Sequence, residues 1–147
     1  MKTTIDHLPD DQQQKLQAIT AVFTSPDVAI PIDMLILFGS RARGDWVDDQ
    51  ETGYKSDYDL LVVVENEKQV NDLTVWGELE RKVRAIIEDT PLTFIVHDIK
   101  FVNKEIRIGQ YFFVRSVPPK GCLHPGRGHK TRKGGRQKSW RTCASCR

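Results

Sequence analysis

Along the first thirty residues the apolar positions fall into one helical stripe: Leu16, Ile19 and Phe23 recur at three- and four-residue spacing, with Pro9 and Asp10 before them and Pro26 beyond. That spacing predicts an amphipathic helix over Asp10 to Phe23. The pattern then changes. Ile32 to Phe38 (IDMLILF) is a short, continuous apolar run between Pro31 and Gly39, as in a strand buried on both faces, and Asp57 to Val64 (DYDLLVVV) reads the same way. Both runs are expected in the interior of a sheet. Val70, Leu73, Trp76, Leu79, Val83, Ile86 and Ile87 restore the helical period, which predicts one helix over 69–88, ended before Pro91. Leu92 to His97 (LTFIVH) is expected as a third strand, and 101–113 as a last helix interrupted or ended near Gly109. On this reading Trp76 and Tyr58 are core residues, and Tyr111, Phe112 and Phe113 close the hydrophobic edge. The order of elements predicts an α/β (α+β) fold in which two or three helices cover a small mixed sheet.

Composition divides the chain in two. Its 147 residues carry a formal net charge of +2, yet residues 1–114 hold 12 basic and all 20 acidic residues, while 115–147 hold 10 basic and no acidic ones. Beyond Val114 the apolar periodicity also stops. Val117 and Leu123 are the only branched aliphatics there, among five Gly and three Pro. A segment so poor in apolar surface cannot offset its ordering entropy, so the expected organisation is a globular body, 1–114, and a disordered basic tail, 115–147. The tail admits two functional alternatives. Cys122, His124, His129, Cys143 and Cys146 include one C-x-x-C pair suited to zinc, but the other half of a ribbon is missing. The basic run, with Trp140 to stack on a base, could meet nucleic-acid phosphates. Three cysteines make no even disulfide framework, and the N-terminal stretch lacks the apolar core of a secretory signal. A cytoplasmic protein is the expectation.

The chemistry concentrates in LFGSRARGDWVDDQETGYKSDYDLLVVVE, residues 37–65. Alternate residues of a strand point to the same side about 7 Å apart, so Asp57 and Asp59 form a pair of like charges. Such a pair is costly to bury unless a cation neutralises it, and hard carboxylate oxygens suit Mg²⁺, which completes its shell with waters and phosphates. The alternative is a D-x-D that only ends a strand in solvent. Upstream, Gly39 and Ser40 follow directly on a strand. A glycine there lets backbone N–H groups approach a phosphate, and the serine hydroxyl adds a donor. Arg41 and Arg43 follow, where a guanidinium can meet phosphate oxygens or simply be solvated. The stretch from Arg41 to Ser56 is acidic (Asp45, Asp48, Asp49, Glu51) and reads either as a mobile lid or as a hydrophilic surface insertion.

Together, LFGSRARGD and SDYDLLVVV resemble the signature of the DNA polymerase β-like nucleotidyltransferase superfamily, most closely its minimal nucleotidyltransferases, which often pair with a HEPN protein. The resemblance covers about residues 34–113. It implies a polymerase β-like fold in which Gly39 and Ser40 hold the triphosphate of ATP or another NTP and Asp57 and Asp59 bind Mg²⁺. A nucleoside monophosphate, AMP by preference, would pass to a hydroxyl, as on a tyrosine of a HEPN toxin. Two departures stand out. The loop after Arg41 is longer than the family pattern, and Thr93 occupies the place of a third carboxylate, a metal ligand or base in the family. Asp98, at the strand's end, is the candidate substitute; His97 could act as a base but is not carried as a candidate, and the alternative for both is a strand-end surface residue. This gap supports an alternative, a nucleotide-binding antitoxin module with weak or no turnover; an aminoglycoside-type enzyme acting on a small molecule uses the same motif. The abrupt change at 115 also suits a frameshifted or truncated end, because the family pattern continues into more aliphatic helix.

Overall fold

The computed structural model of the protein describes residues 5–88 and 90–116. The expectations for the tail, its zinc and nucleic-acid alternatives included, lie outside the described residues. Among those described, six helices and one three-stranded sheet follow in the order α1 (Asp10–Phe23), β1 (Ile32–Phe38), α2 (Gly39–Arg43), β2 (Tyr58–Val64), α3 (Glu67–Val70), α4 (Leu73–Ile87), β3 (Leu92–Asp98), α5 (Ile99–Arg107) and α6 (Tyr111–Ser116). The chain is therefore of the mixed α/β class, and among the described residues no helix is long and apolar enough to cross a membrane.

The sheet order is β1-β2-β3. β1 runs antiparallel to β2, with Phe38 opposite Asp59, and β2 runs parallel to β3, with Asp59 opposite Thr93. A parallel pair needs a crossover, which α3 and α4 supply. β2 is the central strand, and its apolar residues Leu60–Val64 are all fully buried. β1 was also expected inside the sheet, and the structure corrects this: among the described residues it is an edge. Its last four residues are buried because helices cover both faces. A continuous apolar run reports two covered faces, and edge or centre depends on a neighbour the run does not name.

One face carries the larger core, in which Leu35, Leu37, Tyr58, Leu60, Val62 and Val64 meet Leu16, Ile19 and Phe23 of α1 and Trp76, Leu79, Val83 and Ile87 of α4. The other gathers Ile36, Phe38, Leu61 and Val63 under Val102 of α5 and Phe113 of α6. The expected single helix over 69–88 is two helices. Asn66 closes a capping box with Gln69, and the Asp72 carboxylate accepts the Val75 N–H, so a new N-terminus forms at Leu73. Val70 thus belongs to the short first piece, and Leu73 stands in solvent. The last helix is interrupted at Gly109 as expected, where a φ of +75° ends α5. Of the three aromatics expected to close that edge, Phe113 is buried and Phe112 half-buried, but Tyr111 is exposed.

Candidate active site

Antiparallel pairing of β1 with β2 brings the turn after β1 beside the start of β2, and parallel pairing puts the start of β3 beside the same spot. Gly39 has a φ of +71°, in the left-handed region, and a Cβ built on it would lie 2.8 Å from Cγ of Asp59. The Asp59 carboxylate is therefore seated against the Gly39 backbone, where only glycine leaves room. Asp57 lies two residues back on the same side. The Thr93 hydroxyl donates to its Oδ2 at 3.3 Å, and Thr93 is the ladder partner of Asp59. Gly39, Asp57, Asp59 and Thr93 thus converge at one end of the sheet, on the face that α5 and α6 partly cover.

Burial pushes the Asp59 carboxyl above its ordinary range, the neighbouring Asp57 charge adds to that, and Thr93, Arg43 and Arg41 act against it. A half-buried carboxylate beside a like charge is an arrangement a cation would relieve. Among the described residues no group of three or more His, Cys, Asp and Glu side chains could hold a metal ion. Two carboxylates suit Mg²⁺ when water, or water and substrate oxygens, complete its shell.

Arg41 does not join them. It is buried, with its guanidinium 4.1 Å above the Tyr58 ring on the opposite face of the sheet. Its Nε donates to the Asp57 carbonyl at 3.2 Å, Nη2 to the Ser56 carbonyl at 2.8 Å and Nη1 to Gln12 Oε1 at 2.6 Å. The phosphate role expected of Arg41 is corrected accordingly: its guanidinium is engaged by Gln12 and by the backbone that leads into β2, over the face opposite the acid pair. What it does is anchor the segment bearing Asp57. Neither Gln12 nor Ser56 was a candidate from sequence, because nothing local marks them as partners of a residue 29 and 15 positions away. Arg43 is exposed, pairs with Asp45 at 3.1 Å and holds the Asp59 carboxyl down through its charge.

Asp98 is the second correction. In the parallel register Asp59 meets Thr93 while Val64 meets Asp98, five residues further along. At 3.3 Å per residue that is about 16 Å from the acid pair. Its carboxylate caps α5, accepting the N–H groups of Lys100 at 2.9 Å and Phe101 at 3.0 Å. His97 lies at that same far end, stacked on Phe101 at 4.3 Å, and burial lowers its pKa. We expect Asp98→Ala to cost about 1 kcal/mol of stability through the lost cap. Urea denaturation checks this, and unchanged stability would show that the cap contributes nothing.

The acidic loop is an ordered hairpin. Asp49 N–H donates to Tyr54 O and Ser56 N–H to Val47 O, both at 2.8 Å, and Ser56 Oγ accepts the Val47 N–H at 2.9 Å. Its acids are engaged locally, Asp45 with Arg43 and Asp49 with the N–H groups of Glu51 and Thr52. These self-contained contacts fit the surface-insertion alternative. Comparison with protein-family models finds no match, and comparison with the curated proteins likewise finds none.

Proposed function

We propose that the chain is a metal-dependent nucleotidyltransferase with a polymerase β-like fold, moving AMP from ATP to a hydroxyl acceptor, a tyrosine of a HEPN partner being the first candidate. The observation that carries this reading is the seating of Asp59 directly on Gly39. It sets a carboxylate pair and a glycine turn side by side, so that one bound triphosphate would reach both. Asp57 and Asp59 would hold Mg²⁺, which supplies charge neutralisation for the phosphate oxygens of substrate and leaving pyrophosphate. The Gly39-Ser40 backbone and the Ser40 hydroxyl would take the outer phosphates, with Arg43 adding positive charge from the rim. Positioning of acceptor and phosphorus in line would supply most of the rate.

Thr93 opposite Asp59 favours a second reading. A threonine hydroxyl is a poor base, so acceptor deprotonation has no carboxylate on that strand beside the acid pair, and the chain would then act as a nucleotide-binding partner module. Incubation with α-labelled ATP, Mg²⁺ and a HEPN partner separates the two. Label on the partner that vanishes in Asp57→Ala supports transfer. Mg²⁺-dependent ATP binding with stable partner association and no label supports the binding module. Absence of ATP binding in calorimetry would defeat both.

A further inference from the structure

We propose that Thr93 is a positioning residue, whose hydroxyl orients Asp57 beside Asp59 and whose lack of charge limits the pair, without nucleotide, to one divalent cation. The inference rests on the reading of those two acids as the cation-binding pair. Register supplies the geometry: Asp59 faces Thr93 across the parallel ladder, and Thr93 Oγ1 stands 3.3 Å from Asp57 Oδ2. The hydroxyl gives its one proton to Asp57 and so holds that carboxylate beside Asp59, its own neighbour across the ladder. Asp57 is held from below as well, its carbonyl bonded to Arg41 Nε at 3.2 Å. Backbone anchor and hydroxyl together orient an aspartate that precedes the first ladder residue of β2, Tyr58, and would otherwise turn freely into solvent.

Charge sets the stoichiometry. The two carboxylates bring a formal −2, which one divalent cation balances. A second cation would need a further anionic ligand, and among the described residues no third acid or histidine completes the group. A hydroxyl at 93 keeps the pair oriented without adding that charge.

The test is titration of the full-length protein with Mn²⁺ alone, without nucleotide, following free Mn²⁺ by electron paramagnetic resonance. The wild type should bind one Mn²⁺ through the acid pair. Thr93→Val should bind about tenfold more weakly, the range expected for loss of a hydrogen bond to a charged group. Thr93→Ser should stay within about twofold, the effect left when the hydroxyl donor is kept. A purely structural role predicts the reverse order, because valine preserves the β-branched strand residue and serine does not. Equal affinity in Thr93→Val, or two Mn²⁺ on the wild type, would overturn the proposal while leaving the acid pair standing. Unchanged Mn²⁺ binding in Asp57→Asn and Asp59→Asn would instead remove the reading of the site on which it rests.

Discussion

Asp59→Asn is expected to abolish nucleotidyl transfer and, in the same protein, to raise the stability of the metal-free fold at neutral pH. The first effect follows from losing one of the two carboxylates proposed to hold the cation. Several kcal/mol of transition-state stabilisation go with it, on the order of 10³-fold in rate or more. The second follows from the electrostatics. Burial, and then the charge of Asp57, raise the Asp59 carboxyl in the folded chain above its ordinary value of 3.8. A carboxyl whose pKa is higher in the folded than in the unfolded state is protonated more readily when folded. It weighs nothing against folding below pH 3.8, where both states hold the proton. Its penalty grows as pH rises towards the folded value and is constant above it. Asparagine removes that penalty, so in EDTA the variant should melt above the wild type at pH 7, with the difference closing as pH falls below about 4. Mg²⁺ should raise the melting temperature of the wild type and not of the variant, because only a folded state that binds the ion gains from it. Thermal melts at several pH values, with and without Mg²⁺, check this. An Asp59→Asn protein that melts below the wild type at pH 7 in EDTA would contradict it.

Gly39→Ala is the next largest effect, and it acts on the same contact from the other side. The left-handed backbone at this position, φ +71°, costs an alanine about 1–2 kcal/mol. The added methyl would also occupy the space of the Asp59 carboxylate, since Cγ of that residue lies 2.8 Å from the Cβ position. Either the turn or the carboxylate must move, and both belong to the proposed site. We expect transfer to fall by on the order of 10²-fold or more, the penalty of misplacing a reacting group by about 1 Å. A double-mutant cycle isolates the contact. With Asp59 shortened to alanine, most of the clash disappears and Gly39→Ala should cost only the backbone strain, whereas with Asp59 intact the cost should be clearly larger. Equal stability costs in the two backgrounds would show that the carboxylate does not rest on the turn.

Both predictions depend on a contact between residues 39 and 59 that neither local pattern states. What the local pattern does state was legible to the residue in places. α1 at Asp10–Phe23 and β1 at Ile32–Phe38 run as the hydrophobic spacing predicts, and β2 and β3 each differ by one residue at one end. Such limits are set by the period of side-chain burial and by prolines and glycines at the ends, and these are properties of consecutive residues. The helix over 69–88 shows where that kind of reading stops. Its apolar stripe continues through Val70 and Leu73, but the side chains of Asn66 and Asp72 satisfy backbone N–H groups and start two helices instead of one.

By itself the sequence determined the class of fold, the extents of its main elements and the placing of two acids at the start of a buried strand after a Gly-Ser turn. Only the tertiary structure decided which of the neighbouring candidates share that spot. Parallel register puts Thr93 beside Asp59 and carries Asp98 to the far end, and packing turns Arg41 under the sheet onto Tyr58 while Arg43 stays outside. The physical reason is that strand identity comes from side chains a few residues apart, whereas register and the direction of a long side chain are settled by hydrogen bonds to residues 15 to 36 positions away.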